Sequence, residues 1–170
     1  AQVENDFVLL EEELRFTDDF LSIQKLRFGD TFSYTISVPA FLRQARVPPS
    51  VIKSFAENAV KYARNMSGEA KIDIRASMQN RQGKTRLWLE VLDNGPGFSE
   101  EVLQALQQKA QPFFDGRIHI GIANVRQRLE LLYAGKAEVH LENRPDGGAH
   151  VSVILPLSYG TEPPEKEETP

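Results

Sequence analysis

Polar side chains recur along one stretch of the sequence at the spacing of a helix face. In the run 51–66 (VIKSFAENAVKYARNM) they stand four, three and four residues apart, so a helix would align them in one stripe. The members are Ser54, Asn58, Lys61 and Asn65, with Glu57 beside them. An asparagine oxygen is a suitable hard ligand for Mg²⁺ beside a phosphate, and Lys61, one turn on, would meet that phosphate. The alternative is the solvated face of an amphipathic helix.

A second candidate, the run 93–98 (DNGPGF), directly follows the apolar strand LWLEVL. Its Asn-Gly pair is typical of hairpin turns, but the SEEVLQALQQ that follows has the acidic first turn of a helix. The turn therefore joins a strand to a helix and leaves Asp93 at the end of a buried strand. A buried carboxylate needs donors to offset its desolvation. A purine exocyclic amino group is one candidate donor, and the backbone N–H groups of the same turn are the other.

The third segment is 119–129 (HIGIANVRQRL), where Gly121 precedes a well-patterned helix. Glycine lets the backbone approach an anion closely, and a helix N-terminus offers unpaired N–H groups to a phosphate. A glycine before a helix is common, so this pattern alone is a weak indication. Neither GxxxxGK[ST] nor GxGxxG occurs in the sequence, which excludes nucleotide binding through either of those loops.

The elements that must position these segments follow from hydrophobic periodicity. The predicted order is a helix over 10–28, a strand over 32–38, a helix over 51–66, a hairpin of strands 72–78 and 87–91, a short helix over 100–108, an irregular stretch over 109–120, a helix over 122–133, and strands over 139–141 and 151–155. Hairpins without regular βαβ alternation predict an α+β fold. We expect a two-layer α/β sandwich with a mixed, mostly antiparallel sheet and an N-terminal helix.

The first predicted helix carries two apolar lines. One contains Leu10, Leu14 and Leu21 and the other contains Phe16, Phe20 and Ile23. Three glutamates, at positions 11 to 13, occupy its first turn, where they favour the positive end of the helix dipole. So broad a stripe predicts either an ordinary core helix or a surface shared with a partner or with upstream sequence.

Composition limits the function classes. The 170 residues suit one domain, and 41% hydrophobic with 26% charged residues is ordinary for a soluble globular chain. The absence of cysteine excludes disulfides and thiolate metal sites. A net charge of −4 gives nucleic-acid binding no electrostatic support. We expect no membrane-spanning segment here, and we expect a disordered acidic tail over 158–170 because Pro and Glu dominate it.

Together and in order, the segments ENAVKYA, DNGPGF and HIGIANVRQRL resemble the N, G1 and G2 boxes of the GHKL ATPase superfamily, which binds ATP in the Bergerat fold. VPPSVIKSFAENAVKYA, NVRQRLELLY and GGAHVSVILP are similar to the ATP-binding domain of LytS- and YesM-like sensor histidine kinases. The resemblance implies the end of a dimerisation or linker helix over 1–29 and the ATP-binding domain over 30–157. It also implies a membrane anchor only upstream, a homodimer formed by upstream helices, a cytoplasmic location and a cognate response regulator as partner.

Roles for single residues also follow from the resemblance. It implies that Asn58 holds Mg²⁺, that Lys61 lies near the phosphates and that Glu57 helps to activate the accepting histidine. At the base, it implies that Asp93 accepts from the adenine amino group, with Gly95 and Gly97 letting the backbone close around the ring. It implies that the phosphates are met by Ile120, Gly121 and Ile122. It also implies a mobile ATP lid over about 109–120. The reaction would be transfer of the γ-phosphoryl group of ATP to a histidine.

Three positions depart from the family pattern. Lys53 and Ser54 stand where a glutamine and a proline are usual, and Ala149 stands where a threonine is common. We expect weaker nucleotide binding if these positions matter, and a degenerate nucleotide-sensing or protein-binding domain is the alternative function. The three histidines, His119, His140 and His150, are not in the FxxN-type context of an acceptor, so we expect the acceptor on an upstream segment.

Overall fold

A five-stranded sheet organises the chain, in a computed structural model that describes residues 7–63, 67–107 and 117–160. The strand order is β2-β4-β5-β7-β6. Only the β2–β4 pair is parallel, and the other three pairs are antiparallel. The strands are β2 Phe32–Ser37, β4 Ala70–Arg81, β5 Lys84–Asp93, β6 Glu138–Asn143 and β7 Ala149–Pro156. The predicted α+β fold with a mixed, mostly antiparallel sheet is confirmed.

The described residues form four α-helices, which are α1 Leu10–Phe28, α2 Val51–Ala63, α3 Glu100–Gln107 and α4 Arg117–Tyr133. Two short strands, β1 Val8–Leu9 and β3 Arg46–Val47, pair antiparallel beside α1. The alternating residues of β4, β5 and β7 bury one face of the sheet beneath the helices, as the period of two requires. That core includes Ile72, Ile74, Leu87, Leu89, Val91, Val151, Val153 and Leu155 from the sheet, and Phe55, Ala59, Ile122, Val125 and Leu129 from the helices. No helix in the described ranges is long and apolar enough to cross a membrane.

Helix α1 divides its two apolar lines between core and surface. Leu10, Leu14 and Leu21 are buried in the same core as the sheet, whereas Phe16 and Ile23 are 57% and 56% exposed. Phe20, on the second line, is partly buried and packs against the core. The core alternative is therefore confirmed for the leucine line, and a surface shared with a partner or with upstream sequence stays a prediction for the other. Because the leucines pack into the common core, the boundary expected at residue 29 does not separate two packing units.

Helix α4 begins earlier than the sequence predicted. It starts at Arg117 rather than near Ile122, so residues 117–120, expected to be irregular, are helical, and Gly121 lies inside the helix rather than before it. A glycine in a helix interior destabilises the helix by about 1 kcal/mol relative to alanine, and the packing of the neighbouring turns outweighs that cost. Of the expected lid, residues 109–116 lie outside the described residues.

The chain stays packed slightly beyond the predicted start of the acidic tail. Arg46 N–H donates to Ser158 O at 2.8 Å, and the Tyr159 hydroxyl donates to Phe41 O at 2.9 Å. The Arg46 Nε–H group donates to Gly160 O at 2.7 Å. These contacts hold residues 158–160 at the edge of the fold, so the packed chain extends past residue 158, where the tail is expected to start. Residues 161–170 lie outside the described part of the chain.

Candidate functional site

Asp93 ends β5 and is only 9% exposed. Burial raises the pKa of its carboxyl, although hydrogen bonds from the backbone and the charge of Arg144 partly offset the rise. Gly95 N–H donates to Asp93 Oδ1 at 2.8 Å, and Ala149 N–H donates to the same oxygen at 3.2 Å. One backbone donor of the turn, Gly95 N–H, therefore binds this carboxylate, as one sequence alternative held. The second donor, Ala149 N–H, comes from β7, and both bind Oδ1. Oδ2 is the atom at which a ligand N–H group would be accepted.

A pocket opens beside this carboxylate, between α2 and the sheet. Most of its lining is apolar, which suits a flat heteroaromatic ring, and Asp93 and Asn58 are the polar groups that would orient it. The lining residues are Phe55, Asn58, Ala59, Tyr62, Val91, Asp93, Gly97, Phe98, Ala149 and Val151. Asn58 and Asp93, singled out from separate segments of the sequence, thus share one cavity.

The aromatic walls of the pocket were missed by sequence reasoning. Phe55 and Tyr62 stand three residues before and four residues after Asn58 on α2, so their spacing already placed them on its face. Burial raises the pKa of the Tyr62 hydroxyl, and the nearby charge of Asp93 raises it further. Their apolar side chains indicate core positions rather than a binding site. The pocket lies at the edge of the core, so the two locations coincide.

The turn after Asp93 is held by the hairpin that joins β6 to β7. Phe98 N–H donates to Asn143 Oδ1 at 2.7 Å, and Asn143 Nδ2 donates back to Phe98 O at 2.9 Å. Arg144 donates from its guanidinium to Asp93 O at 3.0 Å. Sequence reasoning found none of these partners, because the hairpin lies about fifty residues downstream and its RPDGG run indicates only a turn.

Two glycines make this close packing possible. Gly97 has φ +78°, and a Cβ there would lie 2.6 Å from Asn143 Oδ1. Gly148 has φ +109°, and a Cβ there would meet the Asp93 backbone oxygen and the Asn94 Cα. Both positions require glycine. Gly95, in contrast, contributes the N–H group that Asp93 accepts.

The polar stripe of α2 is less firmly held than Asp93. Asn58 is half-buried, whereas Glu57 and Lys61 are exposed and absent from the pocket lining. The Ser54 hydroxyl donates to Ser50 O at 2.7 Å, within its own helix. Lys53 Nζ lies 3.7 Å from Glu57 Oε1. Asn65 lies outside the described residues.

The expected phosphate segment also differs in part from its prediction. Ile122 is 1% exposed and belongs to the core, so its side chain packs inward instead of facing a ligand. Gly121 stands in the second turn of α4, so the backbone N–H groups at the helix start belong to residues near Arg117. Ile120 also lies within α4.

Two of the histidines have described side chains, and both lie on the sheet. His150 Nε2 is 2.7 Å from Glu90 Oε2, and His140 Nε2 is 3.9 Å from Glu138 Oε2. Both are strand residues, in keeping with their expected non-acceptor character, which stays a prediction.

Residues 47–159 match the family of histidine kinase-, DNA gyrase B-, and HSP90-like ATPases. The chain belongs to this ATPase family. The match spans α2, Asp93 and the β6–β7 hairpin, which are the parts that form the pocket.

Curated relatives of this ATPase domain are sensor kinases. The chain is 30% identical over 153 residues to the sensor protein LytS of Oceanobacillus iheyensis, covering 88% of this chain and 25% of LytS. It is 27% identical over 154 residues to the sensor protein kinase HptS of Staphylococcus aureus, covering 90% of this chain and 29% of HptS. The chain thus spans between a quarter and a third of the length of these relatives.

Solved histidine kinase structures share the fold. The catalytic domain of histidine kinase ThkA, in a nucleotide-free form, matches with a TM-score of 0.60 at 20% identity, covering 91% of this chain and 97% of that one. A mycobacterial sensor histidine kinase, MprB, matches with a TM-score of 0.62 at 14% identity, covering 91% and 98%.

Proposed function

We propose that this chain is the catalytic ATP-binding domain of a two-component sensor histidine kinase. It binds Mg·ATP and transfers the γ-phosphoryl group to a histidine on an upstream segment. The observation that carries the proposal is the pocket in which Asn58 and Asp93 lie together among aromatic walls. The sensor kinases among its relatives support the same assignment.

The base is assigned to the Asp93 end of the pocket. The adenine amino group donates to Asp93 Oδ2, since Oδ1 already accepts from Gly95 and Ala149. The ring lies between the apolar residues of α2 and of the sheet, with Gly97 and Phe98 at its edge. Such a site favours adenine over a base with a keto oxygen at the same position, because two acceptors would then face each other.

The phosphates and metal are assigned to the α2 stripe. Asn58 contributes one amide oxygen to the pocket. A single protein oxygen fits Mg²⁺, which takes one or two protein oxygens and completes its shell with water and phosphate. Asn58 would hold the ion, whose chemical contribution is to neutralise phosphate charge during transfer. Lys61 would approach the phosphates, Glu57 would orient the accepting histidine, and the backbone around Gly121 would approach the phosphates from α4.

Titration calorimetry with ADP and Mg²⁺ tests the binding assignment. We expect Asp93→Asn to lower ADP affinity about 30-fold, because an amide N–H would face the adenine amino group. The exposed Asp30→Asn is the matched control and should leave affinity unchanged. Inosine diphosphate should bind the unaltered chain more weakly than ADP. Failure of the unaltered chain to bind ADP, or undiminished binding by Asp93→Asn, would overturn the nucleotide assignment.

A second candidate is a degenerate, non-catalytic nucleotide-sensing or protein-binding domain. The observation that favours it is that Lys53, which replaces the usual glutamine, lies 3.7 Å from Glu57, the carboxylate expected to activate the histidine. Radiolabelled ATP distinguishes the two functions in a longer protein that includes the upstream helices. Phosphohistidine there supports the kinase, and its absence with intact ATP binding supports the second candidate. The present chain should stay unlabelled in either case.

The partners follow from the same proposal. The full protein would form a homodimer through helices upstream of α1, sit at a membrane through its N-terminal region and hold this domain in the cytoplasm. A response regulator would receive the phosphoryl group. Phosphotransfer from the labelled longer protein to candidate regulators tests that assignment.

A further inference from the structure

A buried carboxylate joins helix α1 to the start of helix α2. Glu13, on α1, is 2% exposed. Ser50 N–H donates to its Oε2 at 2.9 Å. The N–H groups of Ile52 and Lys53 donate to its Oε1, each at 3.1 Å. Three backbone donors at the beginning of α2 therefore converge on one side chain of another helix.

This arrangement is a helix cap supplied from a distance. The first N–H groups of a helix lack partners within that helix, and the residue just before it usually provides one. Here the cap comes from a residue 37 to 40 positions earlier in the chain. The positive end of the α2 dipole also favours the negative charge. Because Glu13 is buried, a displacement of α2 would be costly, since it would leave a buried charge without hydrogen-bond donors.

Helix α1 is itself fixed on both sides of Glu13. Leu10 N–H donates to Ala45 O, and Glu11 N–H donates to Arg43 O, both at 2.8 Å. The buried Leu14 and Leu21 anchor the rest of the helix in the core. The position of Glu13 is therefore fixed by α1, and any displacement of α1 would move the carboxylate that caps α2.

Helix α2 also carries the residue assigned to the metal. Asn58 stands five residues after Lys53, or about 7.5 Å along the helix axis. Asp93 is held independently, by the turn and the β6–β7 hairpin. We propose that Glu13 is a positioning residue that sets the axial position of α2, and thereby places Asn58 relative to Asp93 for binding of a magnesium-nucleotide complex. This inference rests on the proposed function.

The test separates metal-dependent from metal-independent nucleotide binding. ADP affinity is measured in excess Mg²⁺ and in EDTA, and the ratio of the two affinities is compared between variants. We expect Glu13→Gln to lower that ratio about fivefold, because its amide N–H group opposes one of the three donors. ADP affinity in EDTA should change by less than about twofold.

Two control variants isolate the cap. Glu12→Gln removes the same charge from the exposed neighbouring position and should leave the ratio unchanged. Leu14→Ala weakens the packing of α1 but keeps the Glu13 carboxylate, so it should lower thermal stability while lowering the ratio less than Glu13→Gln does. Addition of Glu13→Gln to Asn58→Ala should cause no further loss in the ratio, since Glu13 acts only through the position of Asn58. A Glu13→Gln ratio equal to that of Glu12→Gln, or full additivity with Asn58→Ala, would overturn the inference.

Hydrogen exchange in the unaltered chain gives a test that needs no variant to fold. Coupling is reciprocal, so Mg·ADP should slow exchange of the Ser50, Ile52 and Lys53 amides about fivefold relative to ADP in EDTA. Equal exchange rates in the two states would contradict the role of Glu13 while leaving nucleotide binding intact. Failure of the unaltered chain to bind ADP at all would instead overturn the proposed function, and this inference with it.

Discussion

The two ends of the pocket are built differently. At the base end, Asp93 and the turn after it are held by hydrogen bonds from Ala149, Arg144 and Asn143, all on or beside one hairpin. At the end proposed for the phosphates, Lys61 and Glu57 are exposed on α2. Under the proposed function, a rigid frame would thus recognise the base, whereas the phosphates would rely on a helix face that the ligand itself helps to organise.

The largest effect should come from breaking the rigid end at Gly148. Gly148→Ala places a Cβ against the Asp93 backbone oxygen at a positive φ, so we expect a loss of about 3 kcal/mol in the free energy of unfolding. Nucleotide affinity should fall more than about 30-fold, because Asp93 must move. Urea unfolding and calorimetry measure the two effects.

Gly147→Ala is the matched control for that variant. Gly147 has φ +99° but nothing within 4 Å of an added Cβ. Its alanine variant should lose about 1 kcal/mol from backbone strain alone and keep its nucleotide affinity. Equal losses of stability and of nucleotide affinity in the two variants would show that close packing of Gly148 against Asp93 does not hold the base-binding residues in place.

Acid should weaken nucleotide binding through Asp93, the next largest effect. Burial raises the pKa of this carboxyl above its ordinary 3.8 in the free protein, and a donated adenine N–H group would lower it again by favouring the ionised form. Binding therefore releases a proton between the two pKa values. Affinity falls as pH drops through the raised pKa, by at most about tenfold per pH unit.

Asp93→Asn provides the reference for this pH dependence. Titration of free ADP is common to both experiments, so calorimetry across pH should show the additional pH dependence only with Asp93. The raised pKa also makes the charged carboxyl a cost to folding, so its contribution to stability declines as pH rises from 3.8 through the raised value. Asp93→Asn should accordingly lose affinity at neutral pH without losing stability, and a parallel loss of both would contradict the assignment.

A smaller effect is expected at Asn143. Asn143→Ala removes both hydrogen bonds to the Phe98 backbone, so we expect about 1.5 kcal/mol less stability and about fivefold weaker ADP binding. Asn80→Ala, on the exposed end of β4, is the control. If affinity were unchanged, the turn would not need the β6–β7 hairpin to keep its shape.

The contrast between the ends also explains what the sequence could predict. Asn58 and Asp93 were found because each follows a local pattern, a helical stripe or the end of a strand, and those patterns survive folding. Asn143 and Gly148 were missed because their contacts join distant segments. The glycine pattern predicts a helix boundary at Gly121, yet Gly121 lies inside α4, because the propensity cost of one glycine is small beside the packing of the turns around it.

Glu13 shows the same limit in another form. In the sequence it is one of three first-turn glutamates suited to the dipole of its own helix. In the structure its carboxylate caps a different helix. Burial distinguishes it from its neighbours, and no periodicity rule assigns an acidic residue to the buried side of a helix.

The smallest effect should come from the phosphate end, at Lys53. Its contact with Glu57 is 3.7 Å long, and the two side chains are 38% and 51% exposed, so solvent screens it. We expect Lys53→Gln to change stability by less than about 0.5 kcal/mol and ADP affinity by less than about twofold. Lys71→Gln, an exposed lysine on β4, controls for the lost charge. A tenfold loss at Lys53 alone would place this lysine among the phosphate ligands and show that the helix face is organised before the nucleotide arrives. A twofold change or less would mean that the nucleotide itself orders the α2 side chains when it binds. Lysine in place of the usual glutamine at position 53 would then affect the mobility of the Glu57 side chain rather than nucleotide affinity.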